Sequence, residues 1–385
     1  MRATFDGYVR ADGTAGTRNR LLVLSVTGLT GPTARRIGRN VRDARVVATP
    51  YGSGLLGEDG ALQMRALIGL GRNPNVGAVL VIGAHPPQVH EVADAIAETG
   101  KAVEALVFDD CDHDALTMTD RGTRLAAMLS RELSRQRRIP TPIADLFLAM
   151  ECGRSDPSSG LVANPLVGRI ADRIVEAGGK VVMGEAIEWL GAEHMLMARA
   201  EPEIAAAINR AVAAREAFAV ASGIDLVGNN PGPTNVAAGL STIEEKSLGA
   251  IAKGGASRVR GVLAIAESPT VPGLHLMDAP AYAPESLTGM VAAGAQLVLF
   301  ATGVGNSFVN SIAPTIKLSG NPVATQRLGE QLDFNASLVF TSSESIEAAA
   351  DRLFDTVLDV ASGTLTWGEI LDEGEEVISR LGPAL

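Results

Sequence analysis

Short apolar runs alternate with longer amphipathic segments along most of the chain. A run of about four to eight apolar residues is typical of a buried strand, and apolar positions three and four apart predict a helix. The first half of the chain predicts strands at residues 21–26, 45–48, 77–82 and 102–108. The second half predicts them at residues 146–150, 180–183, 262–266 and 296–300. Helical segments between the strands indicate a parallel, doubly wound sheet.

We therefore predict an α/β fold with two doubly wound, mainly parallel-sheet domains, residues 1–140 and 141–385. The second domain is expected to end in a helical tail from residue 345 onward. Residues 139–142 (IPTP) are the best candidate for the linker, since two prolines in four residues interrupt regular pairing. Residues 273–280 (GLHLMDAP), which contain glycine and proline, are interpreted as a loop.

The stretch from residue 145 to residue 194 predicts one strand–helix–strand unit. Its helix is expected to begin at Asn164, with Pro165 in the first turn. The two strands of such a unit are parallel, so the loops that follow them leave the sheet at the same edge. Ligands of open α/β sheets bind at that carboxyl edge. Side chains expected to meet there are Glu151, Cys152, Arg154, Ser155, Asp156, Glu185 and His194.

Other loops add polar residues to the same picture. Lys246 and Lys253 lie seven positions apart on a predicted helix, so they share one of its faces. The loop of residues 302–310 follows a predicted strand and is rich in glycine and asparagine. It therefore lies at the edge where ligands bind.

Composition excludes several classes of function. A net charge of −11 with no basic stripe argues against nucleic acid as a partner. The two cysteines have no metal-binding or disulfide spacing, which indicates a reducing compartment. No apolar run reaches 18 residues, so we expect no membrane contact and a cytoplasmic location.

A glycine-rich loop leaves one alternative open. Residues 51–60 (YGSGLLGEDG) contain a G-x-G-x-x-G spacing between a predicted strand and a predicted helix, the pattern of a dinucleotide-dependent oxidoreductase. The acidic residue expected after the next strand is missing, because that strand runs into Ala84-His85-Pro86. A tight turn is therefore favoured over a nicotinamide site.

Several ordered motifs together resemble the altronate and galactarate dehydratase family, specifically its large subunit or carboxy-terminal part. They are GTRN (16–19), ECGRSD (151–156), GAEH (191–194), GLSTIEEKSLG (239–249), MDAP (277–280), LVLFATGVGN (297–306) and PTIKLSGN (314–321). The resemblance implies a lyase that removes a β-leaving group from a 2-hydroxy acid with a divalent metal, Fe(II) first, with Mn or Mg as alternatives. Relatives carry a small amino-terminal domain that this chain lacks. The resemblance thus implies a separate small β-rich subunit related to SAF domains, and we expect an oligomer.

Two departures leave the substrate open. Sugar-acid dehydratases have Gly-Cys where this chain has Gly52-Ser53, and Gly-Arg-Gly-Thr-Pro where it has residues 303–307 (GVGNS). The second motif is closer to the (2R)-sulfolactate sulfo-lyase branch, which expels sulfite instead of water. A catalytically inactive subunit of the same fold is the alternative, because the Gly-Cys motif is missing.

Elimination beside a carboxylate needs a base and positive charge for the developing enediolate. We predict Cys152, Glu185 and His194 as metal ligands, a mixed set suited to Fe(II). Glu193 or Lys246 is the candidate base. The predicted catalytic residues are Arg18, Asn19, Glu193 and Lys246. The predicted substrate contacts are Ser155, Asp156, Asn235, Asp278, Asn306 and Lys317.

Overall fold

The computed structural model describes residues 2–226 and 229–378, whose strands form three sheets. The strands are β1 Thr4–Val9, β2 Ala15–Gly16, β3 Arg20–Ser25, β4 Arg45–Ala48, β5 Val76–Gly83, β6 Ala102–Val107, β7 Ile139–Pro142, β8 Phe147–Cys152, β9 Lys180–Met183, β10 Val259–Leu263, β11 Gly273–Met277, β12 Leu297–Ala301, β13 Thr315–Ser319 and β14 Phe334–Asn335. The helices are α1 Gly31–Asn40, α2 Gly57–Arg72, α3 Pro86–Ala97, α4 Ala115–Leu133, α5 Asn164–Glu176, α6 Glu193–Met197, α7 Pro202–Ala221, α8 Pro233–Ala237, α9 Ile243–Ala250, α10 Ala283–Ala292, α11 Pro322–Arg327, α12 Ser337–Phe340, α13 Ile346–Ala361 and α14 Trp367–Ile370.

The first half of the chain builds a four-stranded parallel sheet in the order β4-β3-β5-β6. Its strands are apolar on both faces because helices cover both. Leu21 and Val23 of β3 join the cluster that includes residues of α1 and α4. Leu22 and Leu24 join the cluster that includes residues of α2 and α3. The alternation of side chains along the strand thus divides its apolar residues between two cores.

The second half builds a seven-stranded parallel sheet in the order β10-β11-β9-β8-β12-β13-β14. Helices α2 and α10 pack against each other and belong to one core cluster with residues of both sheets. They approach so closely that a Cβ on Gly69 would lie 2.2 Å from the carbonyl oxygen of Ala292. The α/β class with mainly parallel sheets is confirmed.

The strand order of the larger sheet creates a crevice. From β8 the chain continues to β9 on one side, and it later returns to place β12 on the other side of β8. The connections that leave β8 and β12 therefore run in opposite directions along the sheet. Such a reversal opens a crevice at the carboxyl ends of the strands, which is where open α/β sheets bind their ligands.

The structure contradicts the loop predicted at residues 273–277 and adds detail at two other segments. Residues 139–142 form strand β7, which pairs antiparallel with β1 in a small sheet of order β2-β1-β7. Prolines are tolerated there because β7 is an edge strand. The segment interpreted as a loop forms the buried strand β11 up to Met277. Helix α5 begins at Asn164 with Pro165 in its first turn, as predicted, and a π-helical turn over residues 159–163 leads directly into it. The side chain of Asn164 does not cap the helix; its Nδ2 donates to the carbonyl of Gly249 at 3.0 Å.

The helical tail is confirmed by α13 and the short α14, which are separated at Gly363, a residue with φ of +122°. After α14 the chain reaches the loop between β12 and β13, where Gly374 forms an isolated parallel bridge with Val309. Residues 379–385 of the predicted tail lie outside the described residues. No described helix is long and apolar enough to cross a membrane.

Candidate active site

A cavity of about 720 Å³ lies at the carboxyl edge of the seven-stranded sheet. Cys152, the last residue of β8, lines this cavity and pairs with Ala301 at the end of β12. Glu185, two residues after the end of β9, also lines it. The cavity thus occupies the crevice beside β8. A second cavity of about 610 Å³ lies at the opposite edge, beside Phe147 and Lys180 at the starts of β8 and β9.

The floor of the crevice holds a buried cluster of acids, a thiol and a lysine. Lys253 Nζ lies 2.9 Å from Cys152 Sγ, 3.1 Å from Glu188 Oε2 and 3.4 Å from Glu151 Oε1. All four side chains are buried. Lys246 Nζ lies 2.9 Å from the other carboxylate oxygen of Glu188, so this carboxylate is held between two ammonium groups.

Local structure explains how these residues meet. Glu185 adopts a left-handed conformation with φ of 56°, and the 3-10 turn of residues 186–189 that follows it carries Glu188. Lys246 lies on α9, and Lys253 lies seven residues later on the 3-10 turn that continues the helix. The predicted shared face of the two lysines is therefore real, and both ammonium groups reach Glu188.

Ser286, in the first turn of α10, completes the cluster from the other side. Its hydroxyl donates to Glu151 Oε2 at 2.6 Å. Gly184 makes room for this contact, because a Cβ there would lie 2.0 Å from Ser286 Oγ. The backbone amide of Cys152 donates to the other oxygen of Glu151 at 3.0 Å. Both oxygens of this buried carboxyl group therefore have partners.

The two carboxyl groups after β9 have opposite acidities. Burial, together with Glu151 and Glu188, holds the pKa of Glu185 well above its usual range. Burial alone would also raise the pKa of Glu188, but Lys246 and Lys253 lower it well below the usual range. A hydrogen bond joins the two side chains. Glu185 is therefore the protonated partner, and Glu188 is the ionised one.

The thiol and its lysine also depart from their usual acidities. Burial raises the pKa of Cys152 to about 12, and the nearby carboxylate of Glu188 adds to the effect. Burial alone would lower the pKa of Lys253, but Cys152 and the carboxylates around it raise that pKa well above the usual value. Lys253 is therefore an ammonium group that donates to a neutral thiol and to carboxylates.

The cluster could bind a metal ion. Glu151, Cys152 and Glu188 each offer one ligand atom, and these three atoms lie within 4.8 Å of one another. A thiolate with two carboxylates is a donor set that suits a divalent transition metal. Lys253 Nζ lies within 3.4 Å of an atom of each of the three, so a bound ion would have to displace the ammonium group.

The structure brings several predicted residues to the cavity and places others beside it. Cys152, Glu185, Lys246, Ser155 and Asn306 line it. Three others support its lining. Asp156 accepts from Ser158, Ser159 and Asn321, Asn235 donates to the carbonyl of Ser155, and Lys317 lies 3.6 Å from Glu373 of the lining.

Five predicted residues lie away from the cavity. Arg18 is buried against Glu369 of α14, and Asn19 accepts from Arg10 and donates to the carbonyl of Leu133. Both precede β3 and thus lie at the amino end of that strand. The other three are not among the lining residues. Glu193 is half-buried and His194 is exposed on α6, and Asp278 forms an ion pair with Arg215 at 2.6 Å.

The sequence analysis gave no role to Glu151, Glu188, Lys253, Ser286 or Arg154. The signal for Glu151 and Arg154 was their place directly after a predicted strand. The signal for Lys253 was its spacing from Lys246. Ser286 comes from α10, 135 residues from Glu151 along the chain, and no local pattern indicates that contact.

Comparison with known proteins assigns the family. Residues 143–384 match the model of the carboxy-terminal domain of D-galactarate/altronate dehydratases, and residues 7–134 match that of the second domain of D-galactarate dehydratase/altronate hydrolase. The chain is 37% identical to the (2R)-sulfolactate sulfo-lyase subunit beta of Chromohalobacter salexigens, over 98% of this chain and 97% of the relative. It is 32% identical to the altronate dehydratase of Bacillus subtilis, over 99% of this chain and 78% of the relative. It is 30% identical to the galactarate dehydratase (L-threo-forming) of Escherichia coli, over 94% of this chain and 73% of the relative.

These relatives are named as a sulfo-lyase subunit and two dehydratases, and both names denote lyases. The matched regions together contain every residue of the buried cluster. The chain therefore belongs to the D-galactarate and altronate dehydratase family, and it is a lyase, as the sequence predicts.

Proposed function

We propose that this chain is the large subunit of a two-subunit lyase that eliminates a β-leaving group, sulfite or water, from a small 2-hydroxy acid. The observation that carries the proposal is the buried cluster of acids, thiol and lysines that opens on the crevice beside β8. The relative named as a subunit beta, which this chain spans almost completely, supports the two-subunit arrangement. A separate small β-rich subunit and an oligomeric assembly remain part of the proposal.

The reaction requires removal of the C2 proton, departure of the leaving group from C3 and tautomerisation of the enol that results. The C2–H bond of the hydroxy acid breaks, its electron pair forms the C2=C3 double bond, and the leaving group departs from C3 with its bonding electrons. The resulting enol takes up a proton at C3 and loses the proton of its C2 hydroxyl, which gives the 2-oxo acid. Negative charge develops beside the substrate carboxylate during this sequence, so fixed cations at that place lower the barrier.

The chain supplies groups for each need. Lys246 lines the cavity and holds its ammonium group against Glu188, so it offers positive charge to the developing enediolate. Glu185 lines the same cavity and shares a hydrogen bond with Glu188, and we assign proton transfer to this pair. In this proposal the base is one of these two carboxyl groups, and Lys246 acts as a cation. Glu193 does not line the cavity.

Glu151, Cys152 and Glu188 would hold the metal, for which we propose Fe(II), with Mn and Mg as alternatives. A bound divalent ion would polarise the substrate carboxylate or hydroxyl as a Lewis acid. The chain's own part is to keep these ligands together in a buried place. Ser286 orients Glu151, and Lys246 orients Glu188.

Among the substrates, we propose (2R)-sulfolactate first. The sulfo-lyase relative is more similar than the dehydratases, and this chain spans 97% of its length against 78% and 73% of theirs. The test measures sulfite release from (2R)-sulfolactate and 2-oxo acid formation from altronate and galactarate. The anaerobically purified chain is used alone and mixed with a small subunit of the sulfo-lyase type. Turnover of a sugar acid without sulfite release would favour the dehydratase, and no turnover in any mixture would favour an inactive subunit.

The metal assignment is tested at Cys152. We expect Cys152→Ser to lose bound metal and activity while the fold is kept, because the thiolate is a required ligand. Cys111→Ser is the matched control, since Cys111 is buried and lies outside the cluster. If the thiol only packs, Cys152→Ser lowers the free energy of unfolding by about 1–2 kcal/mol and leaves metal content unchanged. Metal analysis and unfolding on the same preparation separate these results.

A further inference from the structure

Helices α2 and α10, which come from the two halves of the chain, run side by side in the same direction. Three contacts join them in the same order along both helices. From beginning to end, these are Arg65 with Ile265, which lies beside Gly289, then Gly69 with Ala292, and then Asn73 with Val291 and Ala295. The two helices therefore begin on the same side of the molecule, and Tyr282, the N-cap of α10, lines the cavity there.

Helix α2 begins farther out than α10. Ten residues before the contact of Gly69 with Ala292, the chain is at Asp59 on α2 and at Tyr282 beside α10. Leu56, the N-cap of α2, precedes Asp59 by three residues, which is about 4.5 Å along the helix. Leu56 is 85% exposed and Tyr282 is 50% exposed. This count places an exposed leucine just beyond an exposed aromatic ring at the rim of the cavity.

A second contact places the loop before α2 beside the cavity. Arg45, the first residue of β4, forms an ion pair with Asp372. The residues that follow Asp372 include Glu373 and Glu375, which line the cavity. The loop of residues 51–56 joins β4 to α2, so both of its ends belong to elements that flank the cavity.

This loop is held at its two ends and has open space around its glycines. The carbonyl oxygen of Tyr51 accepts from the amide of Gly28 at 2.7 Å, and at the other end Gly57 begins α2 with φ of +61°. A Cβ on Gly57 or Gly54 would meet nothing within 4 Å, and the nearest atom to one on Gly52 would be 4.0 Å away. Glycine changes its backbone conformation at low cost. Gly52 and Gly57, beside the held ends, are therefore suited to act as hinges, and Gly54 at the tip accepts an alanine without a clash.

We infer that residues 52–56 form a lid that swings about Gly52 and Gly57 and closes over the cavity by packing Leu56 on Tyr282. This inference goes beyond the proposed function, because it gives the first domain a moving part at the cavity. Closure covers two exposed apolar side chains and expels water. A drier cavity strengthens the attraction between Lys246 and developing negative charge. Hinges at the ends of a loop are the usual means of such gating.

The test is a disulfide between lid and rim, in the full chain with Leu56→Cys and Tyr282→Cys. A disulfide requires Cα atoms about 4.4–6.8 Å apart, so it forms only when the loop reaches the rim. The matched control combines Leu29→Cys with Tyr282→Cys, because Leu29 is 69% exposed and leads into α1, on the other face of the sheet from α2. With glutathione disulfide, we expect the first pair to cross-link at least about tenfold faster than the control pair. Amide hydrogen exchange in the cavity loops, residues 153–155 and 306–308, should then slow about tenfold and recover with dithiothreitol.

Neither readout requires a substrate. Equal cross-linking rates of the two pairs overturn the inference, and so does fast cross-linking that leaves exchange in the cavity loops unchanged. In the wild-type protein, amides of residues 52–56 should exchange faster than those of residues 64–70 in α2, and equal protection would also overturn it. A closing lid in a protein without lyase turnover rejects the proposed reaction and keeps the inference. Turnover with equal cross-linking rates keeps the reaction and rejects the lid.

Discussion

Replacement of Lys253 by methionine tests how the buried cluster is balanced. The ammonium group donates to Cys152 and Glu188 and lies 3.4 Å from Glu151, and the side chain is 1% exposed. Methionine has a similar length and no charge. The substitution therefore removes the cation and keeps most of the volume.

The expected loss of stability is large. Removal of one partner from a buried ion pair leaves an uncompensated charge and costs about 3–5 kcal/mol. Lys246 still holds one oxygen of Glu188 at 2.9 Å, so the loss should be at the lower end of that range. Glu151 keeps the hydroxyl of Ser286 and the amide of Cys152, and it has no ammonium partner besides Lys253 among the described residues.

A divalent cation should restore much of this loss. The ligand atoms of Glu151, Cys152 and Glu188 lie within 4.8 Å of one another, and Lys253 Nζ competes with a metal for the space between them. The variant should therefore bind Fe(II) or Mn(II) more tightly than wild type. A ligand at a hundredfold excess over its dissociation constant stabilises the folded state by about 2.7 kcal/mol.

The assay is urea unfolding with a chelator and with added Fe(II) or Mn(II), under anaerobic conditions. Lys101→Met is the matched control, because Lys101 is also buried but donates to the carbonyls of Gly71, Arg72 and Asn73. The control should lose stability without recovery by metal. A Lys253→Met protein as stable as wild type in chelator, or one that metal stabilises no more than wild type, would refute the reasoning.

Two further predictions concern buried contacts, one away from the cavity and one beside it. Arg18→Met should lower the free energy of unfolding by about 3–5 kcal/mol and leave KM unchanged, because Arg18 donates to both oxygens of buried Glu369 at 2.7 Å; a raised KM at unchanged stability would instead give Arg18 a substrate role. Gly184→Ala should lower kcat, since the new Cβ would lie 2.0 Å from Ser286 Oγ and displace it from Glu151. Gly54→Ala, where the Cβ meets nothing within 4 Å, is its control, and equal kcat in the two variants would contradict the role of Ser286.

The sheet architecture could be predicted because burial on both faces leaves a simple signal. All eight residues of β5 are buried, and such a strand reads as one continuous apolar run. The signal fails where a polar residue interrupts the run. His275 in β11 is 2% exposed; its Nε2 bonds to the carbonyl of Val271 at 2.9 Å, and its buried Nδ1 has no partner among the described residues. From the sequence, the glycine and proline at the two ends of residues 273–280 made this strand look like a loop.

The candidate site could be predicted in part. The rule that parallel strands place their following loops at one edge identified Cys152 and Glu185. The same rule excludes Arg18 and Asn19, which precede β3, and they were chosen on the resemblance alone. Neighbouring residues of a strand point to opposite faces, so alternation separates Glu151 from Cys152. The structure joins them, because β8 ends there and Lys253 contacts both.

The loops after β8 and β9 each contain a residue in a left-handed conformation, which no sequence pattern indicates. Arg154 and Glu185 follow β8 and β9, and both have φ of 56°, a left-handed conformation that costs a residue with a Cβ about 1–2 kcal/mol. Glycine occupies this kind of conformation at Gly178 and Gly305, two positions that do not line the cavity. At the two positions that line the cavity, Arg154 and Glu185 adopt the strained conformation and place a guanidinium and a carboxyl group there. Strain of this kind concentrates where a side chain must point at a ligand. Six other described residues with a Cβ share this conformation outside the cavity, so the strain supports Arg154 and Glu185 only together with their place in its lining.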